Sequence, residues 1–198
     1  MRCPWHRNGL PQYSFHYTRS TVMAALGPIH RTGVSFLTDE EIGALLAAPD
    51  PSTWIGRRDR VLLLLAVRTG LRASELVELR RRDAHLDSDP HLCCDDIERG
   101  PRAIPLATTT VAALDIWLTE RGGADTDPIF CTRSGGPLHR AAVEELIATH
   151  SATAAHTTPT LRTKRVSSHT LRHTAAMTLL RSGVAPSTVE ALLGYDPS

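Results

Sequence analysis

Histidine and arginine side chains cluster in the stretch HTLRHT at residues 169–174 of the 198-residue chain. Residues three apart lie on one face of a helix, so His169 and Arg172 are expected to act on the same target. A further arginine, Arg72, follows a glycine turn in TGLRASEL, at a helix start where backbone N–H groups also favour anions. Two arginine forks and a histidine that shares a proton near neutral pH suit a tetrahedral phosphate. The spacing therefore predicts a phosphate-binding site.

A structural role is the alternative for each of these residues. Arg72 is close enough in sequence to Glu75 and Glu78 for a surface ion pair. His169 and Arg172 would then be a helix-start histidine and a solvated arginine. Neither stretch alone decides between these interpretations, and the phosphate hypothesis depends on both occurring together.

A metal site is not expected. His169 and His173 have the spacing of a zinc-binding HExxH pair, but Thr170 occupies the place of the glutamate. Cys93 and Cys94 are adjacent, which suits chelation of one metal poorly, and the four cysteines form no CxxC pair. The cysteines are expected to be reduced thiols of a cytosolic protein.

Charge and hydropathy favour a globular protein with a locally basic surface. Hydrophobic residues make up 41% of the chain, charged residues 22%, and the net charge is +1. Residues 131–185 nevertheless hold Arg133, Arg140, Arg162, Lys164, Arg165, Arg172 and Arg181 against two glutamates. This local excess suits a phosphate partner, and a solvated basic face is the alternative. No apolar run approaches the roughly 18 residues of a membrane span, so a cytoplasmic location without membrane association is expected.

The elements that must position these residues are mainly helical. Thr38 and Glu41 form a capping-box pattern, with Leu37 and Ile42 as a hydrophobic staple. Short apolar pieces broken by Asp, Pro and Gly over residues 83–106 indicate strands of a small antiparallel sheet. The fold class is therefore mainly α with a small antiparallel β-sheet (α+β). Helices are predicted from Thr38 to Pro49, over 57–68, from Arg72 through RASELVELRRRDAHL, from Thr108 to Gly122, through HRAAVEELIATHSATAA, and over 168–182 and 186–193.

Two segments are expected in the chain. Residues 1–34 show no sustained periodicity of 3.6 or 2 and are interpreted as a poorly ordered leader or linker. Residues 35–198 are expected to form one domain.

Three stretches of this domain carry a family resemblance: TGLRASELVELRRRD, SSHTLRHTAAMTLLRSGV and VEALLGYDPS, in that order. Together they resemble the catalytic domain of the tyrosine recombinase (phage integrase) family, over roughly residues 35–198. The resemblance implies site-specific DNA breakage and rejoining through a phosphotyrosyl intermediate, in DNA integration or transposition, without metal or other cofactor. Arg72 matches the first family arginine, and His169 and Arg172 match the HxxR motif. Double-stranded DNA and recombinase protomers of the same family are the implied partners.

The chain also departs from the family pattern. Tyr195 stands where the family usually has a phosphate-binding histidine or tryptophan. The family lysine precedes a VPL-like strand, and alignment on IPL places Ile97 there, with Arg99 close by. The nucleophilic tyrosine is expected about two helical turns beyond LGY, past Ser198. The domain is therefore interpreted as truncated, lacking the C-terminal nucleophile helix.

Three hypotheses follow for this chain. The first is a recombinase domain that is inactive because the nucleophile is missing. The alternative is a non-catalytic DNA-binding module or competitor of an intact recombinase. A third hypothesis is a fragment that uses the tyrosine of a partner protomer.

Overall fold

The computed structural model describes residues 35–96 and 100–194. Seven α-helices lie in these two ranges: α1 (Asp39–Ala47), α2 (Trp54–Thr69), α3 (Ala73–Glu78), α4 (Thr108–Arg121), α5 (Arg140–Ala154), α6 (Ser168–Arg181) and α7 (Pro186–Leu193). The strands are β1 (Ala84–His85), β2 (His91–Asp96) and β3 (Gly100–Pro105), and short 3-10 turns occupy Arg81–Asp83 and Pro159–Thr163. The prediction of a mainly helical α+β fold with a small antiparallel sheet is confirmed.

The first helix begins as the sequence predicts. The Thr38 hydroxyl accepts a hydrogen bond from the Glu41 backbone N–H, and the Glu41 carboxylate accepts one from the Thr38 N–H at 2.8 Å. Leu37 and Ile42, on either side of this cap, are both buried. The capping box and the hydrophobic staple together fix where the chain enters the domain.

Helix α2 is the central element of the core. It carries the run VLLLLAV, of which every residue except Leu64 is fully buried. It packs against α1, α4 and α6, which explains why its apolar residues surround the axis instead of forming one stripe. The helix begins at Trp54, three residues before the predicted start, because the Thr53 hydroxyl caps it by accepting from Gly56 N–H.

The third predicted helix is much shorter than expected. It ends at Glu78, because Leu79 turns into an extended conformation and its carbonyl accepts a hydrogen bond from Ile129 N–H at 2.9 Å. Arg80 then forms an isolated antiparallel bridge with Pro128. Hydrogen bonds to a segment about 50 residues away thus replace the helical ones, and local propensity gave no sign of this.

The sheet is a three-stranded antiparallel meander in the order β1–β2–β3. Its register pairs His85 with His91 across β1 and β2, and Leu92 with Ile104 across β2 and β3. Leu92 and Ile104 are buried, so this face of the sheet joins the main core.

The expectation of reduced thiols is wrong for one cysteine. Cys93 on β2 is disulfide-bonded, whereas Cys94 and Cys131 are free and buried.

The C-terminal helices form a second, smaller apolar cluster. Helix α6 packs against α7, and they bury Ala176, Met177, Leu180, Val189 and Leu193 between them. Pro186 lies at the first position of α7, as predicted, and Gly194 ends that helix in a left-handed conformation. Within the described ranges no helix has the length and apolarity to cross a membrane.

Candidate active site

Arg72 is placed by the tight turn between α2 and α3. Gly70 ends α2 with φ of 65° and ψ of 23°, a left-handed conformation that glycine adopts without steric cost. Arg72 then caps α3, and its backbone N–H donates to the Glu75 carboxylate at 2.6 Å. Its guanidinium donates to the Gly194 carbonyl at 3.3 Å. The turn therefore directs Arg72 toward the end of α7.

Arg172 reaches the same place from α6. It is only 5% exposed, so its charge requires hydrogen-bond partners. One terminal nitrogen donates to the Gly70 carbonyl at 2.8 Å, and the other donates to the Leu193 carbonyl. The buried guanidinium thereby joins the ends of α2 and α7 to the first turns of α6.

His169 lies in the first turn of α6 and is exposed. The helix start is held by the Ser167 cap, and by Ser168, whose N–H and hydroxyl both donate to the Glu144 carboxylate on α5. His169 precedes Arg172 by three residues and therefore shares its helix face. The histidine remains accessible while the arginine beneath it is fixed.

These side chains line one cleft of about 360 Å³. Its lining consists of Arg72, Ala73, Ser74, Arg140, Ser168, His169 and Arg172. Among the described residues that line the cleft, three are arginines and none carries a carboxylate. The cleft is therefore suited to an anion. The start of α3 also opens onto the cleft through Ala73 and Ser74.

The structure adds one arginine that motif analysis did not single out. Arg140, the first residue of α5, is exposed and lines the cleft. The available signal was only its membership of the basic stretch 131–185, which does not reveal which arginines face the same space. Tertiary packing of α5 beside α3 and α6 makes that selection.

Other residues considered from the sequence lie elsewhere. His173 is buried, and its ring centroid lies 6.3 Å from that of Phe36, so it belongs to the packing of α6. Lys164, the single lysine of the chain, donates to the Glu41 carboxylate at 2.6 Å and the Phe36 carbonyl at 2.8 Å, and does not line the cleft. Tyr195, Ile97 and Arg99 lie outside the described residues.

The sequence matches the phage integrase family over residues 35–197. The protein y4rC of Sinorhizobium fredii, an integrase/recombinase by name, is 43% identical over 166 residues. That alignment covers 84% of this chain and 50% of y4rC, so the chain spans about half the length of this curated relative.

Solved structures show the same architecture. The crystal structure of the XerA recombinase is similar with a TM-score of 0.70 and 25% identity, over 81% of this chain and 56% of that one. The XerH site-specific recombinase, solved bound to its difH substrate, has a TM-score of 0.68 and 25% identity, over 81% of this chain and 47% of XerH. The shared fold, the matched profile and the cleft built on the TGLR and HxxR stretches agree, and the chain belongs to the phage integrase family of tyrosine recombinases.

Proposed function

We propose that the cleft binds a backbone phosphate of double-stranded DNA, and that Arg72, Arg172 and His169 act on it during strand breakage and rejoining. The observation that carries the proposal is the convergence of Arg72 and Arg172, from positions far apart in the sequence, on the end of α7. The proposed reaction takes place in the cytoplasm and serves DNA integration or transposition. Its proposed protein partners are further recombinase protomers.

The charge arrangement supports this role. The carbonyls at the C-terminal end of a helix carry partial negative charge, so α7 offsets the repulsion between the two guanidiniums. A guanidinium has five N–H donors, so one arginine can hold a backbone carbonyl and a phosphate oxygen at once. Arginines fixed in this way need no reorganisation when charge develops on the phosphate in the transition state.

The three residues take different roles in this proposal. Arg72 and Arg172 bind the non-bridging oxygens and stabilise the charge that develops on them. His169, exposed at the cleft, shares a proton with the reacting oxygens. Arg140 adds a third positive charge at the rim and attracts the DNA backbone.

The chain has three tyrosines, Tyr13, Tyr17 and Tyr195, and all three lie outside the described residues. Tyr195 directly follows Gly194, whose carbonyl accepts from Arg72. We assign Tyr195 the role of a hydrogen-bond donor to the phosphate, at the position where the family has histidine or tryptophan.

The proposed phosphate contact is tested by the salt dependence of duplex binding, measured by fluorescence anisotropy. Each phosphate contact contributes close to one unit to the slope of log K against log salt concentration. Arg72→Gln is expected to reduce the slope by about 1 and to weaken binding to all sequences. Arg57→Gln is the matched control, because Arg57 is paired with Glu120 and lies outside the cleft. Equal slopes for both variants and the wild type would contradict the proposal.

A non-catalytic DNA-binding module is the second candidate function, favoured by the placement of the only lysine away from the cleft. The two candidate functions are distinguished with a pool of duplexes that carry a nick and a randomised sequence around it. Cleavage near the nick releases a short fragment, which diffuses away. A recombinase leaves a covalent protein–DNA band on a denaturing gel, and Arg172→Ala removes that band. Duplex binding without any covalent band, even when an arginine-dead, tyrosine-intact recombinase is mixed in, favours the DNA-binding module. Tyr195→Phe shows whether an observed band depends on that hydroxyl.

A further inference from the structure

One carboxylate on α5 holds the first turn of α6. The backbone N–H of Ser168 donates to Glu144 Oε2 at 3.1 Å, and the Ser168 hydroxyl donates to Glu144 Oε1. Both side chains are half-buried. A hydrogen bond to an ionised group is stronger than a neutral one, and this carboxylate accepts two from a single residue. The pair therefore joins α5 to α6 near the N-terminal ends of both helices.

The start of α6 depends on this contact as well as on its own cap. The first N–H groups of a helix have no partner within the helix. The Ser167 hydroxyl accepts from one of them, the N–H of Thr170, at 3.3 Å. The N–H of Ser168 donates instead to Glu144, 24 residues earlier in the chain. A negative charge at a helix N-terminus also interacts favourably with the helix dipole. A residue of another helix thus helps to fix where α6 begins.

Glu144 lies directly behind the proposed phosphate site. Arg140 precedes it by four residues on α5 and therefore lies on the same helix face. Arg140, Ser168 and His169 line the cleft, whereas Glu144 does not. One face of α5 thus presents a cation to the cleft and, one turn further on, an anion to α6. The tie between the two helices lies next to residues from both walls of the cleft.

The ring of His169 depends on the helix backbone for its position. It is exposed, and within the described part of the chain it forms no hydrogen bond or ion pair. Its place is therefore decided by the first turn of α6, which the Ser167 cap and Glu144 hold. Arg172, one turn later, is held separately by carbonyls at the ends of α2 and α7. A change at Glu144 is thus expected to affect the histidine more than the arginine.

We propose that Glu144 is a positioning residue of the cleft, which acts through Ser168 to hold His169 opposite Arg140. This inference rests on the proposed phosphate site and adds a residue that the sequence motifs did not single out. Supporting contacts that are formed before the ligand arrives spare the site the cost of ordering its side chains on binding. The carboxylate performs this role from outside the cleft, where both of its oxygens accept hydrogen bonds from α6.

A purely electrostatic influence of Glu144 would have the opposite sign. A carboxylate near an anion site repels the anion, so its neutralisation would tighten phosphate binding. Loss of a positioning contact weakens binding instead, because only the molecules with His169 in place are competent to bind. The direction of the change in affinity therefore separates the two roles.

Titration of the full chain with inorganic phosphate at constant pH and ionic strength, followed by NMR of ¹³C-labelled histidine rings, tests the proposal. The His169 signal is identified by its absence from His169→Gln, and Arg72→Gln shows that its response depends on the cleft. Glu144→Gln and Ser168→Ala are each expected to weaken phosphate binding at His169 by about three- to tenfold, because a hydrogen bond with a charged group is lost. The double variant should bind about as well as the weaker single variant, because the two residues form one contact.

Matched controls use neighbouring or equivalent exposed residues. Glu145→Gln makes the same change of charge, Ser187→Ala removes an exposed hydroxyl at the start of α7, and neither should weaken phosphate binding. Circular dichroism verifies that the variants are folded. Unchanged or tighter binding in Glu144→Gln would overturn the proposal, and weaker binding in Ser168→Ala alone would mean that this hydroxyl contacts the phosphate directly. A wild-type His169 signal that does not respond to phosphate would instead contradict the proposed phosphate site, and this inference with it.

Discussion

Arg72 and Arg172 donate to adjacent backbone carbonyls, those of Gly194 and Leu193, at the end of α7. One guanidinium comes from the residue that caps α3 and the other from α6, and both contact the last turn of α7. Carbonyls at a helix C-terminus stabilise nearby cations. The same two contacts thus hold α7 in place and keep two positive charges side by side at the cleft.

Replacement of Arg172 by lysine should destabilise the domain. A single ammonium cannot reproduce the fork that reaches both the Gly70 and Leu193 carbonyls, and at least one buried acceptor loses its partner. We expect Arg172→Lys to lower the free energy of unfolding by about 1–3 kcal/mol, measured by urea denaturation. Arg162→Lys, at an exposed site, is the control and should unfold as the wild type does. An unchanged midpoint for Arg172→Lys would refute this structural role.

The turn that places Arg72 depends on Gly70. A Cβ at this position would lie 2.4 Å from Leu193 Cδ2 and 3.1 Å from Ala175 Cβ, in addition to the strain of φ +65°. Gly183 also has a positive φ, of +86°, but a Cβ there meets nothing within 4 Å. Gly183→Ala should therefore cost about 1–2 kcal/mol from strain alone.

Gly70→Ala should cost more than Gly183→Ala, by a further 1–3 kcal/mol or so, because overpacking adds to strain. Thermal and urea unfolding of the two variants measure the difference. Equal losses for the two alanine variants would show that α7 moves aside without cost.

A buried charge network joins α2 to α5. The Asp59 carboxylate, 5% exposed, accepts from the Arg58 guanidinium at 2.6 Å and contacts His150 Nε2 at 2.9 Å. Removal of one partner from a buried pair leaves the other charge without compensation. We expect Asp59→Asn to cost about 3 kcal/mol by urea denaturation. Asp125→Asn, an exposed carboxylate, should have little effect; comparable losses for both would count against the network.

Stability at acid pH should depend on Glu41. Burial raises the pKa of this carboxyl, but hydrogen bonds from Lys164, the Thr38 N–H and Thr160 outweigh it, and the pKa lies below the usual 4.5. A lowered pKa in the folded state contributes stability that is fully present above about pH 4.5 and is lost as the pH falls through the folded-state pKa.

The Glu41→Gln variant has no carboxyl at this position and therefore lacks this pH-dependent contribution to stability. The difference in the free energy of unfolding between wild type and Glu41→Gln should be constant from neutral pH to about pH 5 and shrink below it. Urea denaturation over a pH series measures this difference. Glu40→Gln, the exposed neighbour, should show no comparable change. A wild-type advantage that grows as the pH falls would contradict the assigned sign.

Several helix starts and ends can be predicted from the sequence, because capping residues, glycine and proline act on neighbouring residues. The Thr38–Glu41 box, the glycine after α2 and Pro186 at the start of α7 each lie where the pattern places them. The predicted length of the third helix is too great. That helix ends where the Ile129 N–H donates to the Leu79 carbonyl, and short-range sequence rules do not include such a contact. For the same reason the sequence did not predict the pairing of His85 with His91, which depends on the register of the strands.

Sequence patterns alone predict a mainly helical chain with a small sheet, the shared face of His169 and Arg172, the glycine turn before Arg72 and the family. The local features follow from helical periodicity and capping chemistry, which act within about one turn, and the family follows from the order of three short motifs. Long-range packing, in contrast, brings Arg72, Arg140 and Arg172 to one cleft and binds Lys164 to Glu41 elsewhere. The Arg172 contact to Gly70 spans 102 residues, and its formation depends on the packing of α6 against α2, which is a property of the whole core.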